Sequence, residues 1–160
     1  MPGLFSREKA VSLARKLLSA SSLLLWAPLA IAQSNLGELL DAGAKKLSVE
    51  EFKEEVVQRV IVGPTLAGAN HEVMYASNGV IQGIGSLGQL GVSLQPISGE
   101  WTIDDNGRIC ASMRIGMGMA ATGGPLPPRC QFWFKYEGDY FISDSDSDRR
   151  TRVLRRTVKQ

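Results

Sequence analysis

The stretch Gly99-Glu100-Trp101-Thr102-Ile103-Asp104-Asp105-Asn106-Gly107-Arg108-Ile109-Cys110 decides the fold. Glu100-Trp101-Thr102-Ile103 is a strand, on the strength of its bulky and β-branched residues, and Asp104 to Gly107 is a turn, because Asp, Asn and Gly tolerate the tight backbone conformations that strands do not. Arg108 to Arg114 is then the partner strand. Downstream, Cys130 to Tyr136 is strongly β-prone, with Phe132, Trp133, Phe134 and Tyr136 in succession. Glu137-Gly138-Asp139 turns it back into Tyr140-Phe141-Ile142. Upstream, Asn78-Gly79 joins Glu72–Ala76 to Val80–Ile84 as a hairpin, read as a type I′ turn with positive φ at both central residues. Alternation sends Phe132 and Phe134 to one face and Trp133 to the other.

The rest of the chain is organised around these strands. Gly83, Gly85, Gly88 and Gly91 make one stretch loose, and residues 116–129, rich in Gly, Ala and Pro, read as a long loop. Asp144 to Arg150 is a polar loop, and Thr151 to Val158 a final strand with Val153 and Val158 as inward contacts. Before the strands, Leu36, Leu39 and Leu40 mark a short amphipathic helix broken near Gly43. Ser48-Val49-Glu50-Glu51 is a capping box that starts a second helix, with Phe52, Val56 and Val60 spaced along one face. That helix runs into Val60-Ile61-Val62, stopped at Gly63-Pro64. The predicted fold is mainly β (α+β): N-terminal helical segments, then an antiparallel meander that forms a curled sheet or partial barrel. The aromatic strands would leave one face of a flat sheet wet, which is the reason for the curl.

The first 32 residues read as a secretory signal peptide: a basic n-region, a short apolar run centred on Leu23-Leu24-Leu25-Trp26, and Ala30-Ile31-Ala32 as an A-x-A site that places cleavage before Gln33. The chain has 18 basic and 16 acidic residues; without the leader 14 and 15 remain, so the positive charge belongs to the leader. No nucleic-acid partner follows from such a balance. Residues 33–160 are left as a single β-rich domain with no membrane span after cleavage. No Cys lies near the cleavage point, and no twin-Arg pair precedes the apolar run. The expected address is the bacterial periplasm, or the exterior if the protein is secreted. In an oxidising compartment the two cysteines, Cys110 and Cys130, are expected to pair.

Gly63-Pro64-Thr65, Tyr75 to Gly79, Gly99 to Cys110 and Cys130 to Trp133 together resemble a family of small exported proteobacterial proteins of unknown function. Its pattern is G-x-W…D-x-x-G-x-x-C, then a second Cys before an aromatic strand, and the match spans most of residues 36–142. The resemblance implies a β-rich exported domain and carries over no catalytic residue and no cofactor.

Several constellations carry chemistry, each set against a structural role. Trp101, Trp133, Tyr75 and Tyr140 either belong to the core or line a pocket for a small apolar ligand. Asp144, Asp146 and Asp148 have the first spacings of a calcium loop, but Arg149 and Arg155 stand where Gly and Glu are needed. His71, Met74, Met113, Met117 and Met119 make a soft donor set of the kind that suits Cu(I), or ordinary packing. Gly116-x-Gly118 and Gly123-Gly124 lack the context and the Lys-Ser/Thr of a phosphate loop, and belong either to a plain connecting loop or to a flap beside the disulfide. His71, the only histidine, has no nucleophile elbow to serve. Glu72, Asp104 and Asp105 are the acids an envelope-acting hydrolase would use if two of them met in a cleft. The sequence favours a non-enzymatic binding or interaction domain, whose partner is a protein, an envelope component or a small apolar ligand.

Overall fold

Helix α1 (Leu36–Asp41) starts at Asn35, whose side chain accepts the Glu38 N–H, and ends before Gly43 at φ +98°. Strand β1 (Lys45–Lys46) follows. Helix α2 (Val49–Glu55) opens with the expected capping box: Ser48 accepts the Glu51 N–H, and the Glu51 carboxylate accepts the Ser48 N–H. Eight longer strands complete the chain: β2 (Val60–Pro64), β3 (Asn70–Tyr75), β4 (Val80–Gly85), β5 (Gln95–Ile103), β6 (Arg108–Ile115), β7 (Arg129–Tyr136), β8 (Asp139–Ser143) and β9 (Val153–Val158). These elements come from a computed structural model that describes residues 34–65, 68–86, 94–116 and 126–159. All of them belong to one compact unit, Ala32–Gln160. The cleavage-site residues Ala30, Ala32 and Gln33 lie outside the described residues.

Each of the eight strands pairs antiparallel with the next, and β9 returns to β2 through Ile61↔Val158 and Val62↔Thr157. The expected curled sheet is therefore a closed up-and-down barrel, which has no unpaired edge to protect. β1 lies beside Phe134 and Lys135 of β7, beyond the point where β6 stops pairing with it.

Two apolar clusters divide the residues as a period of two requires. Inside the barrel lie Ile61, Val73, Tyr75, Ile81, Ile97, Trp101, Ile109, Ile115, Trp133, Tyr140, Ile142 and Leu154, with Phe52 and Val56 of α2 packed among them. On the outer face Phe134, Phe141 and Val153 are covered by Leu36 and Leu39 of α1. Trp133 and Phe134 thus serve different cores. On β5 and β6 the exterior is polar, with Ser98, Glu100 and Thr102 facing Arg114, Ser112 and Cys110, while Val60 and Ile84 are exposed on β2 and β4. No described helix is long and apolar enough to cross a membrane.

The turns explain where sequence and structure differ. Asn78-Gly79 does join β3 to β4, but not as a type I′ turn. Only Gly79 has positive φ (+84°), Ala76 N–H donates to Val80 O, and Gly79 N–H donates to Ala76 O. This is a three-residue loop closed by a left-handed glycine. Asp104–Gly107 repeats it, with Gly107 at +74°. The type I′ signature, positive φ at both residues, belongs to Glu137 (+49°) and Gly138 (+86°). Val60 does not extend the face of α2. The chain turns after Val56, Gln58 takes φ +67° and donates its N–H to Tyr75 O, and Val60 is exposed. Val153 and Val158 do not share a face. Val153 packs under α1, and Val158 packs against the interior cluster.

Gly83 and Gly85, read as a loose stretch, are inward positions of β4. A Cβ at Gly83 would lie 2.0 Å from the Glu72 carbonyl oxygen and 2.8 Å from Val73 Cα, both backbone atoms that cannot step aside. Glycine here lets adjacent strands close up at a tight bend of the barrel.

Cys110 and Cys130 form a disulfide between directly opposed residues of β6 and β7, with Cα atoms 3.9 Å apart. These two strands share four registered pairs and are joined by the long 116–128 connection, so the bridge staples a short seam. Replacing both cysteines by alanine is expected to cost about 3 kcal/mol, read as a fall in urea midpoint with unchanged fold. Gly83→Ala is expected to destabilise by at least about 2 kcal/mol in the same assay.

Candidate functional site

Tyr75, Trp101, Trp133 and Tyr140, the residues expected to line a pocket, come together inside the barrel, and each is at least nine-tenths buried. They surround Phe52, whose ring sits 5.8 Å from Tyr75, 5.5 Å from Trp101 and 5.4 Å from Trp133, all edge to face. Two of their polar ends have partners. Trp101 Nε1 donates to Ala76 O at 2.9 Å, and Tyr140 Oη donates to Glu55 at 2.9 Å. Lys135 donates to the same carboxylate at 2.7 Å. That bond from Lys135 holds the Glu55 carboxyl below its usual range, while burial and then Glu55 push the Tyr140 phenol up to about 12. This half of the interior is a packed plug between α2 and the wall.

The metal-donor candidates separate. His71 and Met74 lie three residues apart on β3, so His71 points inward with Val73 and Tyr75 while Met74 points outward. Met113 packs against the interior cluster, and Met117 and Met119 lie outside the described residues. Asp144 accepts from Gln131, Asp146 pairs with Lys46 at 2.8 Å, and Asp148 accepts the Arg150 N–H. Among the described residues no group of three or more His, Cys, Asp or Glu side chains is placed to hold a metal ion. The acids considered for hydrolysis separate too. Glu72 is on the outer face of β3, paired with Lys159 at 2.7 Å, and Asp104 Oδ1 accepts the N–H groups of Asn106 and Arg108 within its own turn.

One residue that sequence reasoning did not single out changes the picture. Arg156 sits on β9 between the inward Leu154 and Val158 and is 5% exposed. Its Nη1 donates to Pro64 O at 2.8 Å and to Arg155 O at 3.0 Å. No carboxylate pairs with it among the described residues, although Arg155, its outward neighbour, pairs with Asp139. Burial lowers the guanidinium to about 10. The side chain lies over Gly63, where a Cβ would stand 2.6 Å from Nη1. Gly63 is registered opposite His71, and His71 opposite Gly85. The His71 Nδ1 atom is buried with no hydrogen-bond partner. Burial, then the charge of Arg156, lowers the His71 imidazole to about 4. A signal for this residue was present in the sequence: Leu154, Arg156 and Val158 share one side of a strand, which places a cation on an apolar face.

Two shallow grooves flank α2 on the outside. One, of about 540 Å³, lies between Ser48, Lys53 and the Asp105–Gly107 turn; the other, of about 330 Å³, runs beside Glu51, Lys135 and Tyr136.

The His71 environment makes a pH-dependent prediction. Unfolded, the imidazole takes up its proton near pH 6.5; folded, near pH 4. As pH falls through that window the unfolded chain gains a proton that the folded chain refuses, so stability is complete above it and declines within it. Between pH 7 and pH 5 this group alone is expected to remove about 2 kcal/mol. His71→Leu is expected to match or exceed the parent in urea midpoint at pH 7, since no hydrogen bond to Nδ1 is lost, and to gain on it at pH 5.

No family model matches this chain, and neither a curated protein nor a solved structure matches it at a significant level.

Proposed function

We propose that this chain is an exported protein of the periplasm, or secreted beyond it, that binds a small molecule or an envelope component without transforming it. The observation that carries the reading is Arg156: a guanidinium inside an apolar barrel, without an acidic partner among the described residues. Burying an unpaired charge costs several kcal/mol. A fold keeps such a group where something outside the chain completes it, and perturbed buried groups concentrate at functional sites for that reason. The disulfide supports the oxidising address. Glu72 and Asp104, two of the three acids named for a hydrolase, are engaged by Lys159 and by their own turn, which supports binding over hydrolysis.

Expressed with its own leader in a Gram-negative host, the protein is expected in the periplasmic fraction, with a mass that starts at Gln33 and two fewer hydrogens for the disulfide. Native mass spectrometry of that material is expected to show a small-molecule adduct that Arg156→Gln loses. Intact precursor in the cytosol with both thiols free would overturn the export reading. Ligand-free spectra from every preparation would overturn the binding reading.

A further inference from the structure

We infer that the Arg156–His71 end of the barrel interior is a carboxylate-binding site for a singly charged organic acid whose apolar part lies against the interior wall. The inference rests on the binding-protein reading and specifies its ligand.

The guanidinium has five N–H donors in a fixed planar fork. Nη1 uses its two on the backbone oxygens of Pro64 and Arg155. Those bonds help close the barrel where β2 and β9 share only two registered pairs. They do not require a charge, because a neutral amide at position 156 supplies the same donors. The charge and the other edge of the fork are therefore unexplained by closure. Among the described residues the guanidinium hydrogen bonds are made by Nη1; Nε and Nη2, which are not among the fully buried unpartnered atoms, form the side on which a carboxylate is held by two parallel hydrogen bonds.

His71 adds a second, independent element. Its Nδ1 is buried and unpartnered, which costs free energy comparable to a lost hydrogen bond unless a ligand supplies the partner. His71 lies on the strand beside Gly63, the residue that the guanidinium covers. Both polar groups thus flank the inward Gly63 of β2 from the strands on either side, with apolar side chains nearby, including Ile97 against Gly85. The titratable groups that face them are Tyr140, registered opposite Arg156 on β8, and Tyr75 from β3, and the guanidinium acts in turn on the His71 imidazole.

Charge balance selects the ligand class. One buried guanidinium neutralises one negative charge, and a neutral His71 adds no second cation at pH 7. A phosphate monoester or inorganic phosphate brings more than one negative charge and leaves the excess buried. A carboxylate brings one. The apolar neighbours then favour an acid with a hydrocarbon portion over a bare anion.

The single histidine makes the test direct, since one imidazole gives one set of NMR signals. The purified protein, labelled at histidine, is titrated at pH 7 with octanoate, acetate, octanol and inorganic phosphate. Octanoate is expected to shift the His71 signals saturably, with acetate at least about tenfold weaker, and octanol and phosphate without saturating effect. Arg156→Gln is expected to weaken octanoate by about tenfold or more. Arg156→Lys, which keeps the charge but not the fork, is expected to fall between, and it carries the comparison if the glutamine variant does not fold. Equal binding of octanoate and octanol, undiminished octanoate binding by the variants, or saturation by phosphate alone would overturn the carboxylate assignment and leave the binding reading standing. No saturable response to any of the four would overturn the assignment, and the adduct spectra described above decide the binding reading separately.

Discussion

The fold depends on how one ring fills the barrel. Eight strands that close on themselves enclose a space, and wherever it is left void its wall forfeits contacts. Phe52 supplies the filling from outside the sheet. It enters from α2, is fully buried, and meets Tyr75, Trp101 and Trp133 at edge-to-face separations of 5.4 to 5.8 Å. The capping box at Ser48 matters for that reason: it fixes where a seven-residue helix begins, and so where its one fully buried side chain points. The barrel is consequently unequal along its axis. The end with α2 and the short Ser77–Gly79, Asp104–Gly107 and Glu137–Gly138 turns is dry and aromatic. The other end carries the longer 86–94 and 116–128 connections, and Arg156 reaches toward it through Pro64.

What could be read in the sequence was mostly local. The hairpins at Asn78-Gly79, Asp104–Gly107 and Glu137-Gly138, the capping box, the disulfide and the opposite faces of Trp133 and Phe134 each depend on residues near one another in the chain. Closure was not legible, because it rests on Ile61↔Val158 and Val62↔Thr157, two pairings almost a hundred residues apart. Gly83 was misread for a related reason. Glycine weakens an isolated strand, and its value here comes from a neighbouring backbone atom that only the tertiary fold brings within reach. Even the turn type at Asn78 was decided elsewhere: Trp101, which donates its N–H groups to Gly79 O and Ala76 O, fixes that loop.

The candidate site was legible only in part, for a different reason. Tyr75, Trp101, Trp133 and Tyr140 were recognised by size and alternation and do meet, but volume alone does not say whether aromatic rings surround a ligand or a phenylalanine. Arg156 was hidden by its surroundings. It belongs to a run with Arg149, Arg150, Arg152 and Arg155, which as a group looks like solvated charge. Arg155 behaves so, pairing with Asp139 on the outside. The next residue, by the alternation of the strand, is turned into the barrel.

The contrast between these two adjacent arginines carries the physical argument. Both are on β9 and both have the same chemistry, yet among the described residues only the exposed one has an acidic partner. A surface pair of that kind contributes little to stability; a buried charge is where pairing matters most. The fold places its acids where they are least needed electrostatically, at turns, caps and the rim, and leaves the interior cation to two backbone oxygens. Gly63 shows that the arrangement is built in and not a loose end, since any side chain there would collide with the guanidinium. A methionine or leucine at 156 would pack against the apolar wall without that desolvation cost. Arginine and the glycine cut to fit it together hold the Pro64 and Arg155 carbonyls where β9 meets β2.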